Sequence, residues 1–398
     1  MAVLLFIVFI DLLGFGVMIP LLPFYGLHFG GSPAEVTWLL GCYSLAQFVA
    51  APLLGRLSDR LGRRPVLLLS LASSVGAYLW MGFASALWML FAARLLAGAG
   101  AGNIAAAQAY ITDVTPPEER AKGMGMIGAA FGVGFTFGPA IGGFVAGAEQ
   151  TTAALARPAF LSASLSALAF VLVLALLKES LPAEARNARR RLGRLQFARV
   201  ALARPALRRL IMVFCAVVTA FAAMETTFAL WANSAYGWNQ KQVGQFFLWV
   251  GILLIVVQGL LIGRLSRRFG EARLALAGVA LIGLGLTLLP FALSLPLLLA
   301  SSACLAFGMG IFNPSVNALI SRQAAIDERG GIMGVAQSGA SLARVVGPAA
   351  AGPLFALLGR DAPYYAGAVV VALALALALK IPRARPAAGA AGEAERAS

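Results

Sequence analysis

The chain has 398 residues, of which 60% are hydrophobic and only 12% charged, and its mean hydropathy is +0.86. Soluble domains carry about a quarter charged residues, so a water-soluble globule is excluded and a bilayer is the solvent this composition fits. The formal net charge is +15, but the basic residues cluster in particular loops, which makes them a topology signal and excludes nucleic acid as the partner.

Apolar runs of about 20 residues, the length of a bilayer-crossing helix, recur along the whole chain. They lie near 2–24, 36–55, 66–84, 87–111, 121–147, 158–177, 209–235, 242–262, 274–293, 296–320, 330–357 and 363–380. Alternation with period two in units of about ten residues, the mark of an outer-membrane barrel, is absent, so the pattern predicts twelve transmembrane helices. The leading run contains Asp11 and no small-residue cleavage site follows it, so it reads as a first span rather than a signal peptide.

Asp11 stands some nine residues into that span, ~14 Å deep at helical rise, where an unpaired charge costs several kcal/mol. Gly14, Gly16, Pro20 and Pro23 follow and predict a bend. His28, the single histidine, falls in the first outer loop and reads as solvated, which leaves no histidine proton relay inside the membrane. Between the second and third spans comes "GRLSDRLGRRP", with Gly55, Arg56, Asp59, Arg60, Gly62, Arg63 and Arg64. The fourth span carries Arg94, followed by Gly98, Gly100 and Gly102; the fifth carries Gly134, Gly138 and Gly142 at intervals of four, with Pro139 and Gly143. Small residues at that spacing let helices approach closely, and Pro139 removes a backbone donor, so packing with a hinge is expected.

The stretch 184–208 is rich in arginine and divides the spans six and six. Two echoes then follow. "GRLSRRFGEAR" at Gly263 repeats the stretch at Gly55, and "DERGGIMGVAQSGASLARVVGPAAAG" at Asp327 repeats "EERAKGMGMIGAAFGVGFTFGPAIGG" at Glu118. The offsets of 208 and 209 residues predict two parallel six-helix repeats, 1–183 and 209–380, joined by a cytoplasmic linker and followed by a disordered tail, 381–398. Loops after even-numbered spans hold nearly all the arginines, whereas the opposite loops hold Arg157, Lys241 and Arg360. The positive-inside rule therefore predicts both termini on the cytoplasmic side of a bacterial inner membrane.

Glu225 is the second carboxylate well inside a span, and Arg344 is its basic counterpart in the eleventh. Burial disfavours the charged carboxylate, so Asp11 and Glu225 can bind and release a proton, or can stay locked to Arg94 or Arg344. Arg94 and Arg344 either sense that protonation or hold helices together. Gln47, Gln258, Asn313, Asn317 and Gln337 serve as interhelical hydrogen-bond glue or line a polar cavity. Cys42, Cys215 and Cys304 fall inside spans without ligand spacing and read as small core residues, so no metal site is expected. No phosphate-binding loop or nucleophile triad is present, so neither ATP-driven pumping nor an enzyme is expected.

Together these residues resemble the major facilitator superfamily. "GRLSDRLGRRP" is similar to its loop motif after the second span, Arg94 with Gly98 and Gly102 to its fourth-span motif, and "GVGFTFGPAIGG" to the fifth-span motif of its antiporters. "DLLGFGVMIPLLP" resembles the first span of the drug:proton antiporters, and "YSLAQF", "GRRPVLLLSL" and "SALWML" resemble the tetracycline-efflux group. Ala77 and Leu254 depart from that group, which has an acidic residue and often a histidine there. The resemblance implies export of a small amphipathic compound by alternating access, proton coupling, no cofactor and a monomer in the lipid bilayer. It also implies an inner gate formed by Gly55, Asp59, Arg60, Gly62, Arg63 and Arg64, with the second copy a degenerate relative that mainly anchors topology. A transporter of a sugar or amino-acid-like metabolite is the alternative of the same fold; a non-transporting receptor would tolerate loss of Asp11.

Overall fold

A computed structural model describes residues 2–116, 119–181, 194–325 and 328–380. The regular elements among them are all helical. Up to the linker they are α1 (Ala2–Met18), α2 (Leu22–His28), α3 (Pro33–Leu61), α4 (Arg63–Gly82), α5 (Leu87–Gly100), α6 (Asn103–Val114), α7 (Arg120–Ala146) and α8 (Thr152–Leu176). After it come α9 (Arg194–Ala203), α10 (Pro205–Tyr236), α11 (Gln240–Ile255), a π-helical segment (Val256–Leu261), α12 (Ile262–Phe269), α13 (Glu271–Leu288), α14 (Leu295–Gln323), α15 (Arg329–Leu358) and α16 (Ala362–Leu379).

Ten of the described helices, with α11 to α12 counted as one, are long and apolar enough to cross a bilayer. The pair Val3–Met18 and Leu22–His28 is bent by 41° and makes an eleventh span. The bend falls at Ile19–Leu21, where Pro20 cannot donate a backbone hydrogen bond. The run predicted at 87–111 is a twelfth apolar stretch, divided into α5 and α6 at Ala101–Gly102 after a row of alternating glycines. An all-α membrane protein with about twelve spans is therefore what the chain forms.

Several boundaries differ from the sequence expectation: α8 starts at Thr152 rather than 158, and the run from α11 through α12 ends at Phe269 rather than 262. The helix predicted at 36–55 runs as α3 to Leu61, because arginines at a helix end do not stop the helix; the turn at Gly62, with φ +110°, does. The stretch 184–208 contains α9, and α10 starts at Pro205, since proline is pre-set for the first helical position. Residues 184–193 of that linker and the tail 381–398 lie outside the described residues.

The packing positions the site. α1 packs on α7 and α8, α3 and α4 on α5, and α4 on α8; after the linker, α10 packs on α15 and α16, and α13 on α14 and α16. Two broad contacts join the first six spans to the last six, α3 on α15 and α7 on α11. Both occur at the ends away from the arginine-rich loops. A Cβ on Gly352 would lie 2.8 Å from Ala34 Cα, and one on Gly143 would lie 2.7 Å from the Gln240 carbonyl oxygen. Gln240 Nε2 also donates to the Glu149 carbonyl at 2.6 Å. At the arginine-rich ends of the same helices, Gly55, Gly128, Gly132, Gly259, Gly263, Gly330 and Gly334 face open space. The molecule is sealed on one face and open on the other.

Candidate functional site

The charged residues at mid-depth divide into engaged and free groups. Asp11 on α1 is 6% exposed, and Ser166 Oγ on α8 donates to its Oδ1 at 3.4 Å. Arg94 on α5 is 3% exposed; its Nε donates to the Leu39 carbonyl at 3.4 Å, and its guanidinium lies 4.4 Å from the Tyr43 ring centroid. A guanidinium over an aromatic face gains ~0.5–2 kcal/mol, more when desolvated, and Arg94 also lies 5.9 Å from the Phe15 ring. Phe15 contacts Tyr43 at 5.0 Å and Phe135 at 5.8 Å. Residues from α1, α3, α5 and α7 thus build one aromatic wall backed by a cation.

Glu225 and Arg344 differ from these. Glu225, on α10, is half-buried and has no hydrogen bond or ion pair among the described residues. Arg344, on α15, is open to solvent although it lies in the middle of a helix, and its one partner is the Ser341 hydroxyl, which accepts at 3.4 Å. The two form no direct ion pair among the described residues, although their helices pack side by side. The expected lock of Glu225 to Arg344 is therefore absent among the described residues.

The amides divide similarly. Asn317 Nδ2 donates to the Asn313 carbonyl and to Asn313 Oδ1 at 2.9 and 2.8 Å along α14, while Asn317 Oδ1 is buried without a hydrogen-bond partner among the described residues. Gln47 is half-buried, Gln258 and Gln337 are exposed, and none of the three has a hydrogen-bond partner among the described residues. Gln258 sits in the π-helical segment, a widened turn common at functional sites. Ala77 is fully buried beside Tyr78, while Leu254 is half-buried one turn before Gln258.

The glycine stripe is committed on two sides. Gly134 and Gly138 lie so close to α1 that a Cβ on Gly138 would sit 2.7 Å from the Gly16 backbone. Gly142 extends that contact to Val17, while Gly143 and Pro139 abut α11, with the Pro139 carbonyl 2.6 Å from a Cβ placed on Gly244. The stripe packs one helix of its own group and one of the other.

At the open face, the charges after α3 form a tied knot. Arg63 is 1% exposed; its Nη1 donates to Asp59 Oδ1 at 2.7 Å and Ser58 Oγ at 3.1 Å, and its Nε to Asp113 Oδ2 at 3.0 Å. Glu179 accepts from the backbone N–H groups of Arg63 and Arg64 at 2.8 and 3.1 Å, a carboxylate at the N-terminus of α4, where the helix dipole favours it. Gly62 leaves room for that carboxylate, which occupies the place a Cβ would take. Arg64 Nη2 donates to the Leu174 carbonyl at 2.8 Å. Gly55 faces open space, and Arg60, at the surface, has no partner among the described residues. Sequence reasoning missed Asp113, Glu179 and the aromatic wall. Asp113 and Glu179 lie at span ends, which was the available signal; Phe15 lies one helical turn after Asp11.

The second copy is more than the expected topology anchor. Glu271 accepts two bonds from Arg322, at 2.6 Å from Nη2 and 3.0 Å from Nη1, and Ser266 Oγ donates to it at 3.3 Å. Ser266, Glu271 and Arg322 stand 208 or 209 residues after Ser58, Arg63 and Asp113. The ion pair recurs with its signs exchanged.

A profile of the Major Facilitator Superfamily matches residues 4–271 and 252–398. The class C tetracycline resistance protein of Escherichia coli is 34% identical over 355 residues, 85% of each chain. Multidrug resistance protein 2 of Bacillus subtilis (strain 168) is 30% identical over 364 residues, 88% of this chain and 87% of that one. The crystal structure of the human organic anion transporter MFSD10 (TETRAN) covers 95% of this chain and 98% of its own at 26% identity, with a TM-score of 0.73. A fold sealed at one face, open at the other and charged at mid-depth agrees with these likenesses, and the chain belongs to the Major Facilitator Superfamily of transporters, in the group that includes these resistance proteins.

Proposed function

We propose that the protein exports a small amphipathic drug in exchange for protons, by alternating access between two six-helix halves, 1–183 and 209–380. The arginine-rich face is taken as cytoplasmic, in a bacterial inner membrane with both termini inside. The structure is then the inward-open state, ready to load from the cytoplasm or inner leaflet. What carries this reading is the contrast between the α3–α15 and α7–α11 seals at one face and the open glycines at the other. Asp11 and Glu225 are the proton-binding groups of this scheme, and the glycine stripe with Pro139 is its hinge. Arg94, Gln47, Gln258, Asn313, Asn317, Gln337 and Arg344 are assigned to the cavity between the halves. The knot of Asp59, Arg63 and their neighbours belongs to the inner gate, closed only when the outer face opens. No cofactor enters the scheme, and one chain suffices as the transporting unit.

A protonated carboxylate loses its charge, and the two orientations then differ in energy by a few kcal/mol, enough to switch their populations. In everted vesicles given a proton gradient, D11N and E225Q are expected to lose proton-driven accumulation of a tetracycline or fluoroquinolone probe, while downhill exchange persists. Full accumulation with unchanged pH dependence in both variants refutes the assignment.

A further inference from the structure

The two seals at the closed face hold matching places in the repeat but are built differently. α3 and α11 both begin with a capping box, Ser32 with Glu35 and Asn239 with Gln242. Counted from those caps, Pro33 matches Gln240, Ala34 matches Lys241 and Thr37 matches Gly244. Ala34 and Thr37 meet Gly352 of α15, whereas Gln240, Lys241 and Gly244 meet Gly143 of α7. In the α3–α15 seal, the buried Thr37 hydroxyl is satisfied within its own helix, donating to the Ala34 carbonyl at 2.9 Å. In the α7–α11 seal, Gln240 is wholly buried and its Nε2 reaches across to the Glu149 carbonyl at 2.6 Å. Its Oε1 is buried too, with no hydrogen-bond partner among the described residues. The bond to Glu149 fixes the orientation of the amide, because the flipped group would set two acceptor oxygens against each other.

From this difference we infer that Gln240 sets how readily the closed face opens, and that it does so by weakening the seal it spans. A buried acceptor that has given up water and gained no partner costs more than one ordinary hydrogen bond returns. When α7 and α11 part, water reaches both ends of the amide and that deficit disappears. Gln240 therefore raises the energy of the sealed state relative to the open one, even though its Nε2 bond ties the halves together. An apolar side chain of the same length carries no such deficit. Glu149 is exposed, so water replaces the donor that its carbonyl loses. Thr37, paired inside α3, places no comparable strain on the α3–α15 seal. Gln240 is thus a positioning residue, acting on the balance of the two orientations rather than on the cargo.

The inference rests on the alternating-access reading for its consequence, but its test requires neither drug nor proton gradient. Thr136 is 1% exposed and lies in the α7–α11 seam, where a Cβ on Gly251 would sit 2.6 Å from its Cα. T136C, in the full chain with Cys42, Cys215 and Cys304 replaced by alanine, supplies a thiol that a bulky maleimide reaches only when the seam parts. In mild detergent, Q240M is expected to slow that labelling roughly fivefold, the weight of one unpaired acceptor less the bond lost with it. Q240E, which sets a carboxylate against the Glu149 carbonyl, is expected to speed it. T37V is expected to change it less than twofold. Labelling of Q240M at or above the parent rate overturns the inference, as does a slowing by T37V equal to that by Q240M. During export of a tetracycline probe, Q240M is expected to lower the maximal rate and the half-saturating concentration together, because the loading state is more populated; a damaged fold lowers the rate alone. If labelling slows in Q240M while the parent moves no drug, the inference stands and the export reading falls. If labelling is unchanged or faster in Q240M while the parent exports drug, the export reading stands and the inference falls.

Discussion

Arg63 and Glu271 occupy the same place in two copies of one stretch, yet their surroundings differ. Arg63 is buried to 1% exposure between Asp59, Asp113 and Ser58, with Glu179 fixing the backbone beneath it. Glu271 meets Arg322 alone among charged partners, and Arg322 is 67% exposed. The geometry of the pair recurs with reversed sign, so what the repeat preserves is the tie between the start of the third helix of each half and the end of its fourth, not the charge that makes it. The first copy has a second carboxylate, a capping carboxylate and burial; the second is a more exposed pair whose Arg267 turns back to the Gly263 carbonyl.

The largest expected effect separates the two ties. R63A removes the buried cation that Asp59 and Asp113 share, and removal of one member of a buried pair costs about 3–5 kcal/mol. R322A, at an exposed pair, is expected to cost about 0.2–1 kcal/mol. Unfolding of both variants in mild detergent micelles checks this, and equal losses would mean that burial does not distinguish the two copies. Exchanging the second pair, E271R with R322E, is expected to stay within that same small range, because no further carboxylate fixes its sign.

A middle-sized effect tests whether the copies are alike where they pack. Gly138 and Gly347 precede the matching prolines Pro139 and Pro348, and both are closed off by backbone: Gly138 by Gly16, Gly347 by the Thr219 carbonyl oxygen and the Ala223 nitrogen at 2.6 and 3.0 Å. A methyl group added at either forces a helix apart, and overpacking costs about 1–3 kcal/mol. G138A and G347A are expected to lose stability by similar amounts in the same unfolding measurement. A loss at only one would show that the repeat is equivalent in sequence but not in packing.

Much of this arrangement was legible in the sequence, and the exceptions share a cause. Apolar run length placed the spans because a helix that crosses a bilayer must satisfy its backbone internally over a fixed thickness. Pro20 marked the bend of the first span for an equally local reason. The knot partners were not legible: Asp113 and Glu179 lie 50 and 116 residues from Arg63, and sequence spacing carries no record of which span ends meet. The availability of Glu225 and Arg344 was hidden for the same reason. Both read as members of a possible lock, and it is their offset along two neighbouring helices that leaves them without an ion pair. The exchanged charges were visible as letters at Arg267 and Glu271, but without Arg322 in place they read as decay of the motif rather than as a second tie.

The smallest expected effect bears on motion. Gly55 and Gly263 begin the two copies, and a methyl group at either meets nothing within 4 Å. Gly55 lies inside α3, so G55A gains helix propensity, roughly 0.5–1 kcal/mol, with no packing cost in this state. Gly263 lies inside the continuous run from α11 through the π-helical segment to α12, and G263A gains a similar amount. If the open face closes during transport, those same positions come under other helices, and the added methyl groups are tolerated only in the open state. G55A is then expected to melt slightly higher than wild type and to transport more slowly, since it stabilises one of two states and not the other. Labelling of cysteines placed at the open face, measured under turnover, should show them reactive for a larger share of the cycle in G55A than in wild type. Unchanged transport with the higher melting point would mean that the first knot does not move against the opposite half at Gly55, and that its burial serves stability alone.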